Sequence, residues 1–240
     1  MTAPEPLEAL PEDWTKALAV VAHPDDLEFG AAAAIARWTG QGKEIIYVLL
    51  TSGEAGIDGV APAECGPLRE AEQIESARIV GVSVVEFLGQ PDGTIEYDVA
   101  LRRLIAGVIR RYQPEIVITN NFHDTWDGDA ILNQADHINT GRATLDAVRD
   151  AANRWIFPDD GERWGGVRQV WAGGSPTSKH AVDTTGTFEV GVDSLKAHKA
   201  YIDGLNWPHF DASEFLEGIS RAHGTRLGTT YAAAFEVFTV

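Results

Sequence analysis

The stretch Ala-Leu-Ala-Val-Val-Ala-His-Pro-Asp-Asp, residues 17–26, predicts the architecture of this chain. Its first six residues form an unbroken apolar run, which is typical of a strand buried on both faces of a parallel sheet. Four residues rich in ionisable groups follow at once. In open α/β sheets, ligands bind beyond the carboxyl ends of the strands. The stretch therefore predicts both a central strand and a site at its end.

Strand and helix patterns alternate through the first three-quarters of the sequence. This order indicates a mostly parallel sheet with helices on both faces, an α/β fold of Rossmann-like type. The expected strands are residues 17–22, 45–50, 84–88 and 116–119, and the expected helices run from Leu27 to Gln41, from Pro67 to Gly81 and over 99–112.

The C-terminal part has a less regular pattern, and we expect it to extend the same domain. A single domain over residues 1–240 is expected, because no repeat or linker interrupts the chain. The pattern predicts helices at 138–153, 194–205 and 213–222, a loop at 155–166, short strands at 167–171 and 188–190, and a final apolar run at 231–240.

The charge balance narrows the classes of partner. The chain has 36 acidic and 19 basic residues, a formal net charge of −17. A protein with this net charge repels phosphate backbones and anionic membrane surfaces. We therefore expect neither nucleic acid nor a membrane as a partner. One cysteine, Cys65, leaves no internal disulfide, and neither a secretory leader nor a membrane span is evident. We expect a cytoplasmic protein.

The first strand ends in His23-Pro24-Asp25-Asp26. Pro24 suits a first helical turn, so an imidazole and two carboxylates are expected together at a helix N-terminus. His23 and Asp26 can converge on one metal ion, and an imidazole with a carboxylate suits Zn²⁺. Asp25 is then left over as a general base. The alternative is that the two aspartates only cap a helix.

The fourth strand ends in a second polar segment, which could supply a third metal ligand. Strands one and four of such a sheet can be neighbours, which makes His137 a candidate and His123 its competitor. Spacing alone does not choose between the two histidines. Asp136 either caps the following helix or supports the metal site from behind.

Taken together, these motifs resemble the LmbE/PIG-L family of zinc-dependent amino-sugar N-deacetylases. The resemblance covers nearly the whole chain, and the most specific motif is Ala22 to Asp26 with Gly30 following. Weaker matches are Thr51 to Gly56, Arg69-Glu70, Leu88 to Gly93, Ala135-Asp136-His137, Lys196 to His198 and Tyr231 to Phe235.

This resemblance implies a metal-dependent hydrolase that removes an N-acyl group, usually acetyl, from an amino sugar or its conjugate. It implies that His23, Asp26 and His137 bind zinc, whose place Fe²⁺ or Co²⁺ could take. Asp25 would be the general base toward a zinc-activated water, with Asp136 beside the site. Arg69 and Asp92 fall where the resemblance places contacts with sugar hydroxyls.

Two residues depart from the family pattern. Gln134 stands where the family has a histidine that stabilises the oxyanion, and Ala233 stands where it has a glutamate. Gln134 can donate a neutral hydrogen bond but no positive charge. Loss of an oxyanion donor can cost about 10²–10³ in rate. Three alternatives follow: Gln134 suffices as a catalytic donor, another group such as His123 substitutes for it, or the enzyme is slow or altered in its substrate.

Several functions other than deacetylation remain compatible with the sequence. An amidase that cleaves a larger amide conjugate uses the same residues, and a degenerate member would bind metal or sugar with little turnover. A nucleotide-binding Rossmann protein is disfavoured, because no Gly-x-Gly-x-x-Gly motif follows the first strand. The sequence is compatible with a homo-oligomer. Four tryptophans in loop-like segments could stack on a sugar: Trp126, Trp155, Trp164 and Trp207.

Overall fold

The computed structural model describes residues 5–126, 131–205 and 207–240. Residues 1–4, 127–130 and 206 lie outside the described residues. The strands are β1 (Glu8–Ala9), β2 (Lys16–Val21), β3 (Glu44–Leu49), β4 (Val84–Phe87), β5 (Ile116–Asn120), β6 (Gln169–Gly173), β7 (His180–Asp183) and β8 (Ala232–Thr239). The helices are α1 (Ala32–Gly40), α2 (Pro62–Ile79), α3 (Val99–Tyr112), α4 (Ala135–Ala152), α5 (Phe188–Lys196), α6 (Lys199–Gly204) and α7 (Ala212–Leu227).

These strands form one sheet in the order β1-β7-β8-β6-β5-β2-β3-β4. Strands β6, β5, β2, β3 and β4 are successively parallel, and β8 pairs antiparallel with both β6 and β7. Among the described strands, β8 alone runs against the rest. The carboxyl ends of β2, β3, β5 and β6 therefore meet at one edge of the sheet.

The strand β2 lies at the centre and separates two hydrophobic cores. Its alternate side chains point to opposite faces, Ala17, Ala19 and Val21 on one and Leu18, Val20 and Ala22 on the other. Helices α1 and α2 cover the first face, and α3 and α4 cover the second. The predicted α/β fold with helices on both faces is confirmed. Within the described residues, no helix is both long and apolar enough to cross a bilayer.

The predicted helix from Leu27 begins only at Ala32. Asp25 has a φ of 84°, a left-handed conformation that cannot continue a right-handed helix from Pro24. Residues 24–31 instead form consecutive turns. The prediction that the His-Pro-Asp-Asp motif lies at a helix N-terminus is therefore wrong, because the motif forms a tight turn of its own.

Other predicted elements also differ in their bounds, and α7 extends to Leu227 rather than ending at 222. Helix α2 begins at Pro62, so Pro67 lies inside it rather than at its start, and Cys65 lies inside it rather than before it. The predicted strand at 188–190 is the first turn of α5, because Phe188, Val192 and Leu195 repeat at helical spacing and are buried together. The predicted helix 194–205 is divided into α5 and α6 at residues 197–198.

Candidate functional site

The turn after β2 is shaped by the side chain of Asp26. Its Oδ2 accepts hydrogen bonds from the backbone N–H groups of Ala22 and His23, both at 2.9 Å. Such local bonds from aspartate to the backbone compete with helix formation. They leave Oδ1 of Asp26 as the oxygen that faces the neighbouring histidines.

Three possible ligand atoms converge at this turn. His23 Nδ1 lies 3.1 Å from His137 Nε2, and Asp26 Oδ1 lies 2.9 Å from His137 Nε2 and 3.8 Å from His23 Nδ1. Zinc bonds of about 2.0–2.2 Å in tetrahedral geometry place ligand atoms about 3.3–3.6 Å apart. Because two ring nitrogens and a carboxylate oxygen face one another, the donor set fits a shared divalent cation.

The outer ring nitrogens of both histidines have fixed partners. His23 Nε2 lies 3.0 Å from Asp92 Oδ1 and 3.2 Å from Asp136 Oδ2, and His137 Nδ1 lies 2.8 Å from Asn133 Oδ1. Carboxylate and amide oxygens accept hydrogen bonds, so these outer nitrogens donate and the inner ones are free to bind a metal. Asp92 and Asp136 therefore orient His23. Sequence reasoning missed Asn133.

Asp136 is itself held in place by the loop after β4. Its carboxylate accepts hydrogen bonds from the backbone N–H groups of Gly93 at 2.7 Å and Ile95 at 3.0 Å. It lies in the first turn of α4, where the helix dipole also favours a negative charge. The alternative that Asp136 caps α4 is wrong, because Gln134 is the N-cap residue and the Asp136 carboxylate accepts from Gly93 and Ile95 instead. Its contact with His23 Nε2 favours the other alternative, a residue that supports the site from behind.

The charges in this cluster depend on one another. Burial alone would lower the pKa of His23, but hydrogen bonds to Asp136, Asp26 and Asp92 raise it to about 12. Burial would raise the pKa of Asp26, yet His137 and His23 hold it well below its usual range. The carboxylates of Asp26, Asp92 and Asp136 thus stay ionised. They stabilise a positive charge between them, which either a protonated imidazole or a metal cation can supply.

Asp25 is not among the three convergent ligand atoms, and its carboxylate pairs with Arg69. The Arg69 Nη2 group donates to Asp25 Oδ2 at 2.5 Å and to the carbonyl of Pro24 at 2.6 Å, and the guanidinium stacks on the ring of Tyr201. Burial raises the pKa of Asp25 to about 6, although the charge of Arg69 opposes the shift. A buried carboxyl with a pKa near neutrality is suited to general-base work.

A buried polar network lies behind Asp25, and sequence reasoning missed most of it. The amide of Gln73 accepts from the Asp25 N–H and donates to Glu28 Oε1, both at 2.9 Å. The Glu28 carboxylate also accepts from Ser76 at 2.7 Å and faces His198 Nε2 at 3.7 Å. Gln73, which bonds Asp25 directly, is fully buried, and so are the three residues behind it, Glu28, Ser76 and His198; the turn therefore has a rigid support.

The two remaining candidates have different surroundings. Gln134 is the N-cap residue of α4, is exposed and lines the cavity described below. His123 pairs instead with Glu236 at 2.7 Å and stacks on Phe122. Within the described part of the chain, His137 rather than His123 joins the potential metal ligands.

A cavity of about 1120 Å³ opens over the cluster along the carboxyl edge of the sheet. Its walls include Asp25, Arg69, Asp92 and Gln134 near the cluster. Of the four loop tryptophans, Trp126 and Trp207 line it. Trp155 is instead 80% exposed, and Trp164 donates to the carbonyl of Pro114.

Comparison with known proteins gives concordant matches. A family profile described as "PIG-L: GlcNAc-PI de-N-acetylase" matches residues 18–148, more than half of the chain. A diacetylchitobiose deacetylase of Thermococcus kodakarensis is 27% identical over 225 residues, which cover 92% of this chain and 82% of that protein. The matched profile region includes both potential ligand histidines, Asp25 and Asp26.

Two further likenesses extend this comparison. A 1D-myo-inositol 2-acetamido-2-deoxy-alpha-D-glucopyranoside deacetylase of Streptomyces scabiei is 27% identical over 71% of this chain, which spans only 59% of that relative. The solved structure of an N,N'-diacetylchitobiose deacetylase from Pyrococcus horikoshii has a TM-score of 0.85 at 23% identity, covering 95% of this chain and 85% of that one. The structural likeness shows a shared fold.

Proposed function

This chain belongs to the PIG-L family, as its motifs predicted, and we propose that it hydrolyses the N-acyl amide of an amino sugar. Acetyl is the acyl group that the relatives' names favour, and diacetylchitobiose and N-acetylglucosaminyl conjugates are the first substrates to examine. The observation that carries the proposal is the meeting of three convergent ligand atoms with a separate buried carboxylate, Asp25.

His23, Asp26 and His137 are the residues that would hold the metal, for which zinc is the first choice and Fe²⁺ or Co²⁺ the alternatives. A zinc ion bound there supplies a Lewis acid that polarises the amide carbonyl and lowers the pKa of water. Asp92 and Asp136 orient His23 so that its Nδ1 faces the other two ligand atoms.

Asp25 would take the proton from the attacking water and return it to the nitrogen of the leaving amine. Its pKa of about 6 lets it accept a proton near neutral pH and release it again. Arg69 fixes the direction of its carboxylate, and Gln73 fixes its backbone. The main role of Arg69 is therefore to position Asp25. Because Arg69 also lines the cavity, we propose that it contacts a sugar hydroxyl there.

Gln134 would donate its side-chain amide to the oxygen that becomes negative as the water attacks. Its position on the cavity wall beside His137 supports this role. Asp92 would contact a sugar hydroxyl from the same cavity, in addition to orienting His23. The substitution Gln134→His restores the histidine that the family pattern has at this position. An increase in kcat would indicate that the neutral donor Gln134 limits the rate.

The test is amine release from N-acetylglucosamine and diacetylchitobiose, measured with bound metal in the same preparation. We expect wild type to bind one metal ion and to release amine. Asp25→Asn should keep the metal and lose about 10²–10⁴ in kcat, which is the usual contribution of a general base. Absence of metal and of amine release after metal supplementation would refute the proposal.

Two other outcomes would point to the alternatives. Release of amine only from amides with larger acyl groups would indicate an amidase of conjugates. Bound metal without turnover of any N-acyl amino sugar or larger amide would indicate a degenerate member that binds without catalysis.

A further inference from the structure

One wall of the catalytic cavity is apolar, although the wall near the metal ligands is charged. We call it the apolar arm, and it consists of Phe29, Phe188, Trp207, Phe215, Leu216 and Ile219. Phe29 belongs to the turns that follow Asp26, so the arm begins three residues from a potential metal ligand. Of the remaining residues, one begins α5, three lie in the first half of α7 and one lies in the loop before α7.

Three of the four aromatic rings of the arm pack together, because Phe29 and Trp207 both contact Phe215. Phe29 lies 5.6 Å from Phe215 in an edge-to-face contact, and Trp207 lies 5.6 Å from Phe215, measured between ring centroids. Phe210 joins the group at 5.1 Å from Trp207. The arm is therefore a formed surface with fixed rings. It is still open, because Trp207 is 52% and Ile219 37% exposed.

The size of the cavity exceeds the needs of the reacting sugar. Pockets for drug-sized ligands measure about 300–1,000 Å³, and this cavity measures about 1120 Å³. A monosaccharide at the metal ligands would leave the arm empty. Another part of the substrate has room to lie there.

The chemistry of the arm selects what that part can be. Sugar hydroxyls need hydrogen-bond partners when they leave water, and five of the six side chains of the arm have none to offer. Trp207 supplies the one indole N–H. An alkyl or aryl group, in contrast, binds more tightly in proportion to the apolar surface area that it buries against Leu216, Ile219 and the rings.

We propose that the apolar arm binds a hydrophobic substituent carried by the amino-sugar substrate. The substituent is an alkyl or aryl group attached either at the anomeric carbon or through the acyl chain. This inference rests on the proposed function for the position of the sugar, and it adds the class of conjugate that the enzyme prefers.

The experiment measures binding without turnover. Methyl, butyl and octyl 2-amino-2-deoxy-β-glucosides have no acyl group, so their dissociation constants, measured by calorimetry below the micelle concentration, do not depend on catalysis. A buried methylene contributes about 0.8 kcal/mol, so we expect about fourfold tighter binding for each methylene that enters the arm. A matched series with a methyl aglycone and N-acetyl, N-butanoyl or N-octanoyl groups, bound to Asp25→Asn, tells which end of the sugar carries the substituent.

Ile219→Asp places a charge in the arm without touching the metal ligands, and it should abolish the dependence on chain length. Ile74→Asp is the matched control, because Ile74 is 53% exposed on α2 and is not among the cavity residues. It should leave the dependence unchanged.

Three results would overturn the inference. One is equal affinity across both series, and another is an unchanged slope in Ile219→Asp. The third is a change of molar mass in Ile219→Asp together with flat series, which would make the arm a contact between copies of the chain. Failure of the deacetylase proposal looks different, since chain-length dependence would then persist while no amine is released from any N-acyl sugar.

Discussion

The substitution Gln73→Leu tests whether the turn that carries Asp25 depends on its buried support. Leucine has about the same size as glutamine but offers neither of its two hydrogen bonds. The Asp25 N–H would lose its acceptor and Glu28 Oε1 one of its donors, both at 2.9 Å in a region shielded from water. An unpaired buried donor costs about 1–3 kcal/mol, and a bond to a charged group contributes about 1.5–3 kcal/mol.

The φ of 84° at Asp25 does not increase this loss, because the cost of the left-handed conformation, roughly 1–2 kcal/mol, is already present in the wild type. The apolar burial of leucine offsets part of the loss. We therefore expect Gln73→Leu to lower the free energy of unfolding by about 3 kcal/mol.

Urea unfolding followed by tryptophan fluorescence, with a chelator present, measures this change independently of bound metal. Gln41→Leu is the matched control, since Gln41 is exposed and donates to Glu12 at 3.1 Å at the surface. The control should change stability by less than about 0.5 kcal/mol. A loss below about 1 kcal/mol for Gln73→Leu, at an unchanged urea dependence, would refute the support that we assign to this network.

Three further predictions concern the metal ligands and the buried pair. His137→Ala should weaken zinc binding by more than about 100-fold, whereas His123→Ala should leave it unchanged; equal effects in a zinc titration would contradict the choice of ligand. Asp136→Asn should weaken zinc binding by about 10–100-fold, because it orients His23 from outside, and an unchanged affinity would argue against that role. Burial opposes the charges of Glu28 and His198, but each holds the other ionised, so the pKa of His198 is raised above 6.5 and that of Glu28 is lowered below 4.5. Their stabilisation is complete between about pH 4.5 and 6.5 and is lost as the pH rises through the raised pKa of His198, so the Tm difference between wild type and His198→Phe should be larger at pH 5.5 than at pH 9.5. A difference that does not vary with pH would count against a charged pair.

The central strand and the position of the site were predictable from sequence. An unbroken apolar run such as residues 17–22 is typical of a strand buried on both faces of a parallel sheet, and β2 occupies that place. The polar residues directly after the run then lie at the edge where ligands bind. Three ionisable side chains in the four residues 23–26 were enough to suggest the chemistry, because an imidazole and a carboxylate can bind a metal ion while the second carboxylate serves as a base.

The conformation of the turn was not predictable in the same way. A left-handed Asp25 depends on partners that are distant in sequence, with Gln73 on α2 and Arg69 one turn before it. The hydrophobic periodicity of a segment depends only on that segment, so it cannot predict hydrogen bonds to residues of another helix. The misread strand at 188–190 has a related cause, since three apolar residues fit either a strand or the first turn of a helix.

The two backbone bonds that hold Asp26 Oδ2 have a consequence for ion selectivity. Because the N–H groups of Ala22 and His23 occupy this oxygen, the carboxylate can bind a cation only in monodentate fashion through Oδ1. Calcium requires six to eight oxygen ligands and often a bidentate carboxylate, whereas zinc accepts one oxygen and two imidazoles. If His23, Asp26 and His137 bind a metal as proposed, the site favours a cation of low coordination number, and we expect that calcium does not compete for it even where calcium is far more abundant than zinc.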